Sequence, residues 1–150
     1  MGRRLIVDTN LLVLLVVGST SRAYVERHKR CKPFTVNDFE DLVLLVDGSE
    51  LIVTTGILTE TSSLTRQIGE PYRSEIGLYL KEFIERATEF AIPSRGASQR
   101  PEFLRLGLTD SAILDLAVED AAFVSTDGAL CALWEGAGRQ VIYFNLRAAS

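Results

Sequence analysis

The sequence predicts an α/β fold in which a mostly parallel sheet is covered by helices on both faces. Short runs that are apolar throughout, such as Leu5-Ile6-Val7 and Leu51-Ile52-Val53-Thr54, alternate with longer amphipathic stretches. A strand apolar on both of its faces belongs to a sheet buried on both sides. No internal repeat, low-complexity tract or long linker interrupts the 150 residues, so 1–150 reads as a single domain with one core.

Leu5-Ile6-Val7 is the first strand, followed by a helix over about 11–17. Residues 19–34 are polar and basic and read as a loop or short helical excursion ending near Pro33. Thr35 can cap a helix over 36–46 that stops at Gly48. Residues 51–54 are the next strand, 56–68 and 73–88 two further helices, and 90–92 a brief strand stopped by Pro93. A connection over 94–107 holds Gly96, Pro101 and Gly107. Thr109 is expected to cap a helix running to Asp120. A strand at 123–125, a helix over 128–134 and a strand at 141–144 complete the order.

Apolar residues make up 47% and charged residues 24%, a globular composition. Arg3-Arg4 ahead of an apolar run imitates a secretory signal, but Asp8 and Asn10 divide that run into pieces too short for a signal core or a membrane span. Cys31 and Cys131 lie far apart with no metal-binding spacing, so a reducing cytoplasm is the expected setting, with a disulfide between them left open. The net charge is −4, yet 22–32 holds five cations (Arg22, Arg27, Lys29, Arg30, Lys32) against Glu26 alone. The rest of the chain therefore carries −8. With Tyr24 and Phe34 nearby, that basic stretch suits phosphate contacts and base stacking, or is simply a solvated charge run. His28, the single histidine, is expected at the surface.

Parallel sheets place ligands at the carboxyl ends of their strands, and four acids fall where that matters. Asp8 follows Leu5-Ile6-Val7 directly, and Asp127 closes Phe123-Val124-Ser125-Thr126; both are also good helix N-caps. On a helical wheel Asp110 lies within the arc of Ile113, Leu114 and Ala117, while Ser111, Asp115 and Glu119 form a solvated stripe. Glu60 shares a face with Ile57, Leu64 and Ile68, opposite Thr61, Ser62, Thr65 and Arg66. Gathering such carboxylates is unfavourable through desolvation and mutual repulsion unless a hard divalent cation sits among them. Oxygen ligands with retained waters are what Mg²⁺ or Mn²⁺ prefers.

Val7-Asp8-Thr9-Asn10-Leu11-Leu12, then Leu58-Thr59-Glu60, then Leu108-Thr109-Asp110-Ser111-Ala112-Ile113-Leu114, then Ser125-Thr126-Asp127, in that order over essentially the whole chain, resembles the PIN domain family, VapC-like toxin ribonucleases included. The resemblance implies a three-layer α/β/α sandwich around a mostly parallel five-stranded sheet. It implies a metal-dependent endoribonuclease, commonly the toxin of a toxin–antitoxin pair, with RNA as substrate, an antitoxin as partner and a homodimer as assembly. Asp8, Glu60, Asp110 and Asp127 then match the family's metal-binding acids, with Mg²⁺ or Mn²⁺ as cofactor. Asn10 and Thr126 match its accompanying polar residues. Thr61 departs from the leucine more usual after the second acid, and 19–34 is longer than in compact toxins. A structure-specific DNA nuclease and a catalytically silent PIN-like module that binds RNA or protein stay open as alternatives. A phosphate-handling enzyme of another type has no support, since neither GxxxxGK[ST] nor GxGxxG is present.

Overall fold

The computed structural model describes residues 2–144. In chain order the elements are β1 (Arg4–Val7), α1 (Thr9–Thr20), α2 (Tyr24–Arg27), a 3₁₀ turn (Lys29–Cys31), α3 (Val36–Val46), β2 (Glu50–Thr54), α4 (Thr55–Thr65) and α5 (Tyr72–Arg86). They continue with β3 (Thr88–Phe90), α6 (Ser94–Ser98), α7 (Phe103–Leu106), α8 (Leu108–Leu114), β4 (Ala121–Ser125), α9 (Gly128–Gly136) and β5 (Gln140–Tyr143). The strands form one all-parallel sheet in the order β3-β2-β1-β4-β5. Connections from β1 run outward to one edge and from β4 to the other. Right-handed crossovers therefore put their helices on opposite faces, giving the three-layer sandwich expected. The direction of winding reverses between β1 and β4, and that point is where such sheets bind ligands.

The run Leu11–Val17 is apolar on every side and is buried on every side. It packs against α3, α4 and α5. A helix without a polar face has to be enclosed, and this one forms the centre of the core. Gly18 continues it because the Phe39 ring occupies the place a side chain would take: a Cβ there would lie 2.3 Å from the ring. On the far side of the sheet Trp134 of α9 is buried beside Phe123 of β4, with ring centroids 5.3 Å apart.

Several elements differ from the sequence reading. Strand β3 covers 88–90 rather than 90–92, and α5 stops two residues early to admit it. The connection over 94–107 contains the short helices α6 and α7. Helix α8 ends at Leu114, so the wheel drawn through Glu119 is void beyond its first two turns. Ser111, assigned there to a solvated stripe, is fully buried. Gly107, at φ +84°, precedes α8 in the cap position, and Thr109 lies inside the helix rather than capping it. In α4 the threonine side faces inward: Thr61 and Thr65 are buried, their hydroxyls bonded to the carbonyls of Ile57 and Ser62. A threonine whose hydroxyl is spent on its own helix packs as a methyl group. That is why Glu60 lies on the more exposed face.

Residues 19–34 also fold back rather than loop freely. His28 is buried, correcting the surface expectation. Its Nδ1 accepts from the Arg30 N–H at 3.1 Å, so Nε2 carries the proton and donates to the Thr65 carbonyl at 3.0 Å. Phe34 is buried, and the Tyr24 ring meets Tyr72 edge-on while its hydroxyl donates to Glu75. Burial removes Phe34 from the stacking role considered for it, whereas Tyr24 is only half-buried. Both cysteines are free and buried, and burial pushes the Cys31 thiol up to about 12.

Candidate metal and nuclease site

The site begins where β1 gives way to α1. Asp8 extends the sheet by one more bond, its N–H donating to the Val124 carbonyl at 3.0 Å, and then caps α1 through Oδ1, which accepts from the Thr9 N–H at 2.8 Å. Its other oxygen accepts from the Ser125 hydroxyl at 2.6 Å. The same Ser125 oxygen accepts from the Asp127 N–H at 2.9 Å, and Asp127 caps α9 by accepting from the Leu130 N–H at 3.1 Å. The strand-end acids were read from sequence as either caps or ligands. They are caps, and each still has an oxygen directed elsewhere, which a cap bond does not consume.

Ser125 is the residue that the sequence reading missed. It is fully buried at the last position of β4 and ties the first acid to the fourth. Thr126, matched through the resemblance to an accompanying polar residue, is half-buried, and Asn10 is exposed on the first turn of α1. The signal available was positional: Ser125 is the one polar residue in an otherwise apolar β4, AAFVS.

Glu60 comes from the second turn of α4 and accepts from the Thr109 hydroxyl at 2.6 Å, which links α4 to α8 next to Asp110. Asp110 is half-buried and has no hydrogen bond among the described residues. Burial, followed by the charges of Asp8, Glu60 and Asp127, pushes its carboxyl up to about 6. Asp8 is raised as well, by burial first and then by Asp127 and Glu60, against the lowering hydrogen bonds from Ser125 and Thr9. Asp110 is raised by the charges of the other three acids and Asp8 by those of Asp127 and Glu60, so these side chains lie within electrostatic reach of Asp110. Among the described residues, the ion pairs formed by arginine go to Glu50, Glu40, Glu102 and Asp115, none of them in this group.

The five predicted substrate-binding cations follow the far end of α1. Helix α1 starts at the acids and its 12 residues carry the chain about 18 Å away before the basic stretch begins. There Arg22 pairs with Glu40, Arg27 lies over the Tyr72 ring and Arg30 bonds Gln67, while Lys29 and Lys32 are exposed.

The donor set suits a hard cation: four carboxylates, no imidazole, and a thiol, Cys131, that burial keeps protonated. Among the described residues, however, no three Asp, Glu, His or Cys side chains form a ready-made ion cage as they stand.

No family model matches the chain, and no curated protein matches it. Among solved structures, a domain of a functionally unknown protein from Methanocaldococcus jannaschii aligns over 96% of this chain and 92% of its own at 14% identity, with a TM-score of 0.49. VapBC2 from Rickettsia felis, solved with a DNA fragment from its promoter, aligns over 95% of this chain and 99% of that one at 13% identity, with a TM-score of 0.51. The latter likeness, at such low identity, is one of fold. Together with the five-stranded parallel sheet, it marks the architecture as PIN-like.

Proposed function

We propose that this chain is a metal-dependent endoribonuclease of the PIN type, acting as the toxin of a toxin–antitoxin pair. The observation that carries the reading is that Asp8, at the switch point of a parallel sheet, and Asp110 are raised by neighbouring carboxylates, Glu60 and Asp127 among them, with no ion pair to a cation among the described residues. Asp8, Asp110 and Asp127 would hold Mg²⁺ or Mn²⁺, with Glu60 beside them. When bound, such an ion supplies an activated water and screens the charge of the scissile phosphate.

The protein's own part is positioning. Ser125 holds Asp8 and Asp127 at a fixed separation. Glu60, braced by Thr109, keeps one oxygen for a hydrogen bond from the attacking water. Asp110, the acid with the most raised pKa, needs a positive charge to remain ionised below about pH 6. Asn10, which is exposed, and Thr126, which is half-buried, would orient these groups by hydrogen bonds.

An antitoxin and a second copy of the chain are the partners this reading implies. VapBC2 supports the first by likeness of fold. Support for either comes from a groove of about 580 Å³ between α3 and α5, where Val43, Leu44 and Tyr79 line the wall and Leu44 is largely exposed.

The test is cleavage of matched RNA and DNA oligonucleotides with added Mg²⁺ or Mn²⁺. Wild type is expected to cut RNA in preference to DNA and to lose activity with EDTA. Asp8→Asn and Asp110→Asn are expected to lose roughly 100-fold or more while keeping the circular dichroism of the wild type. Undiminished cleavage by purified Asp8→Asn would remove the site from the mechanism, and a preference for DNA would select the alternative nuclease.

A further inference from the structure

The connection from β3 to α8, residues 91–107, carries Arg95, Arg100 and Arg105 against Glu102 alone, a local charge of +2. It borders the acids. Ser94, where α6 begins, lines one cleft together with Leu108, Thr109 and Glu60. Helices α6 and α7 both pack on α8, whose first turn holds Asp110.

The three arginines divide by what they touch. Arg100 donates to Asp115 at 2.6 Å and to Glu102 at 3.1 Å, which fastens the connection to the end of α8. Arg95 and Arg105 are exposed, and neither guanidinium has a partner among the described residues. Every other described arginine is bonded to a carboxylate, carbonyl or amide, lies over a ring or, as with Arg66, acts on a nearby glutamate. Two uncommitted guanidiniums thus stand on the elements that flank the acids, from a base that Arg100 holds in place. Leu104, next to Arg105, is 95% exposed.

The carboxylates of the site repel an approaching polyanion. An ion among them offsets this at the scissile phosphate, while the phosphates on either side need cations of the protein. A guanidinium is always charged, and its planar fork matches a phosphate. We propose that the connection 91–107 holds single-stranded RNA beside the acids, with Arg95 and Arg105 binding backbone phosphates next to the scissile one and Leu104 covered by an unpaired base. A duplex keeps its base faces stacked and has none to offer Leu104. The inference rests on the nuclease reading for the chemistry, but strand binding has a readout of its own.

Fluorescence anisotropy of a labelled single-stranded oligoribonucleotide, in EDTA and at several salt concentrations, reads binding apart from cleavage. Arg95→Gln and Arg105→Gln are each expected to weaken binding roughly fivefold and to lower the slope of log affinity against log salt by about 0.7, and the double variant by about 1.4. Arg105→Lys keeps the charge and is expected to recover the slope. Leu104→Ser is expected to weaken binding with the slope unchanged. Lys81→Gln removes an exposed charge from α5 and is expected to alter neither. All of these positions are exposed, so the melting temperature is expected to stay that of the wild type. With Mn²⁺ added, the double arginine variant should raise KM for short RNAs with kcat at saturation within a few-fold.

Wild-type affinity and slope in the double variant, or an equal loss in Lys81→Gln, overturns the proposal. Equal binding of a duplex of the same length overturns its single-stranded part. Cleavage whose KM survives the double variant overturns the surface and leaves the nuclease reading intact. Binding lost through both arginines in a protein that cuts no nucleic acid supports the surface and overturns the nuclease.

Discussion

Burial and the neighbouring carboxylates push the Asp110 carboxyl in the same direction, and the sign of its effect on folding follows from that. Its carboxyl has an ordinary value of 3.8 and is raised to about 6 in the folded protein. Between those values the folded state binds more protons than the unfolded state, so stability falls as pH rises from about 4 to about 6 and levels off above. Asp8 is displaced in the same direction and adds to the slope. In metal-free protein, Asp110→Asn is therefore expected to raise the melting temperature at pH 7 and to flatten its dependence on pH between 4 and 7. A melting curve for Asp110→Asn that shifts down at pH 7 would contradict the electrostatic account. The four acids were legible in the sequence because ionised groups interrupt apolar patterns at strand ends. Ser125 was not, since a serine at the end of a strand is unremarkable until its hydroxyl is seen between two carboxylates. His28 escaped for the converse reason: its charged neighbours look solvated, while its own ring is buried against a carbonyl that no local pattern reveals.

Elements were legible where one force dominated them. The order of strands and helices and the all-round burial of α1 follow from apolar periodicity alone. The misjudged boundaries lie where capping and packing compete with it. A Gly at positive φ starts α8 ahead of the threonine that looked like its cap. The inward face of α4 was misassigned because threonine counts as polar by composition yet packs as a methyl once its hydroxyl bonds its own helix. The contact between Gly18 of α1 and Phe39 of α3 gives this scale its prediction. Phe39 is buried and cannot swing aside, so Gly18→Ala is expected to destabilise by about 1–3 kcal/mol through overpacking. Urea denaturation measures it. A compensating Phe39→Leu in the same chain should recover part of the loss, whereas additive losses would refute a clash.

Over the whole molecule, charge and topology separate two regions that the sequence had suggested might act together. The acids lie at one end of α1, and the basic stretch begins beyond its other end, about 18 Å along the helix. Arg22, Arg27 and Arg30 are engaged with Glu40, Tyr72 and Gln67 rather than with the acids, and their charge suits a strand that extends beyond the reacting phosphate. Replacing Arg27, Lys29 and Arg30 together by glutamine is expected to weaken RNA binding and to reduce the slope of affinity against salt, with kcat at saturation unchanged. Filter binding at several salt concentrations gives the slope; an unaltered slope would show that the stretch serves only its own packing.

The enclosure of α1 sets how the acids can respond to a guest. Asp8 is welded to the least yielding part of the protein, whereas Glu60 and Asp127 project from surfaces that face water. Any adjustment needed to grip an ion must therefore be made around Asp8 by its neighbours. Amide hydrogen exchange would register this as slow, ligand-independent protection along α1, and as protection gained on loading at the first turns of α8 and α9.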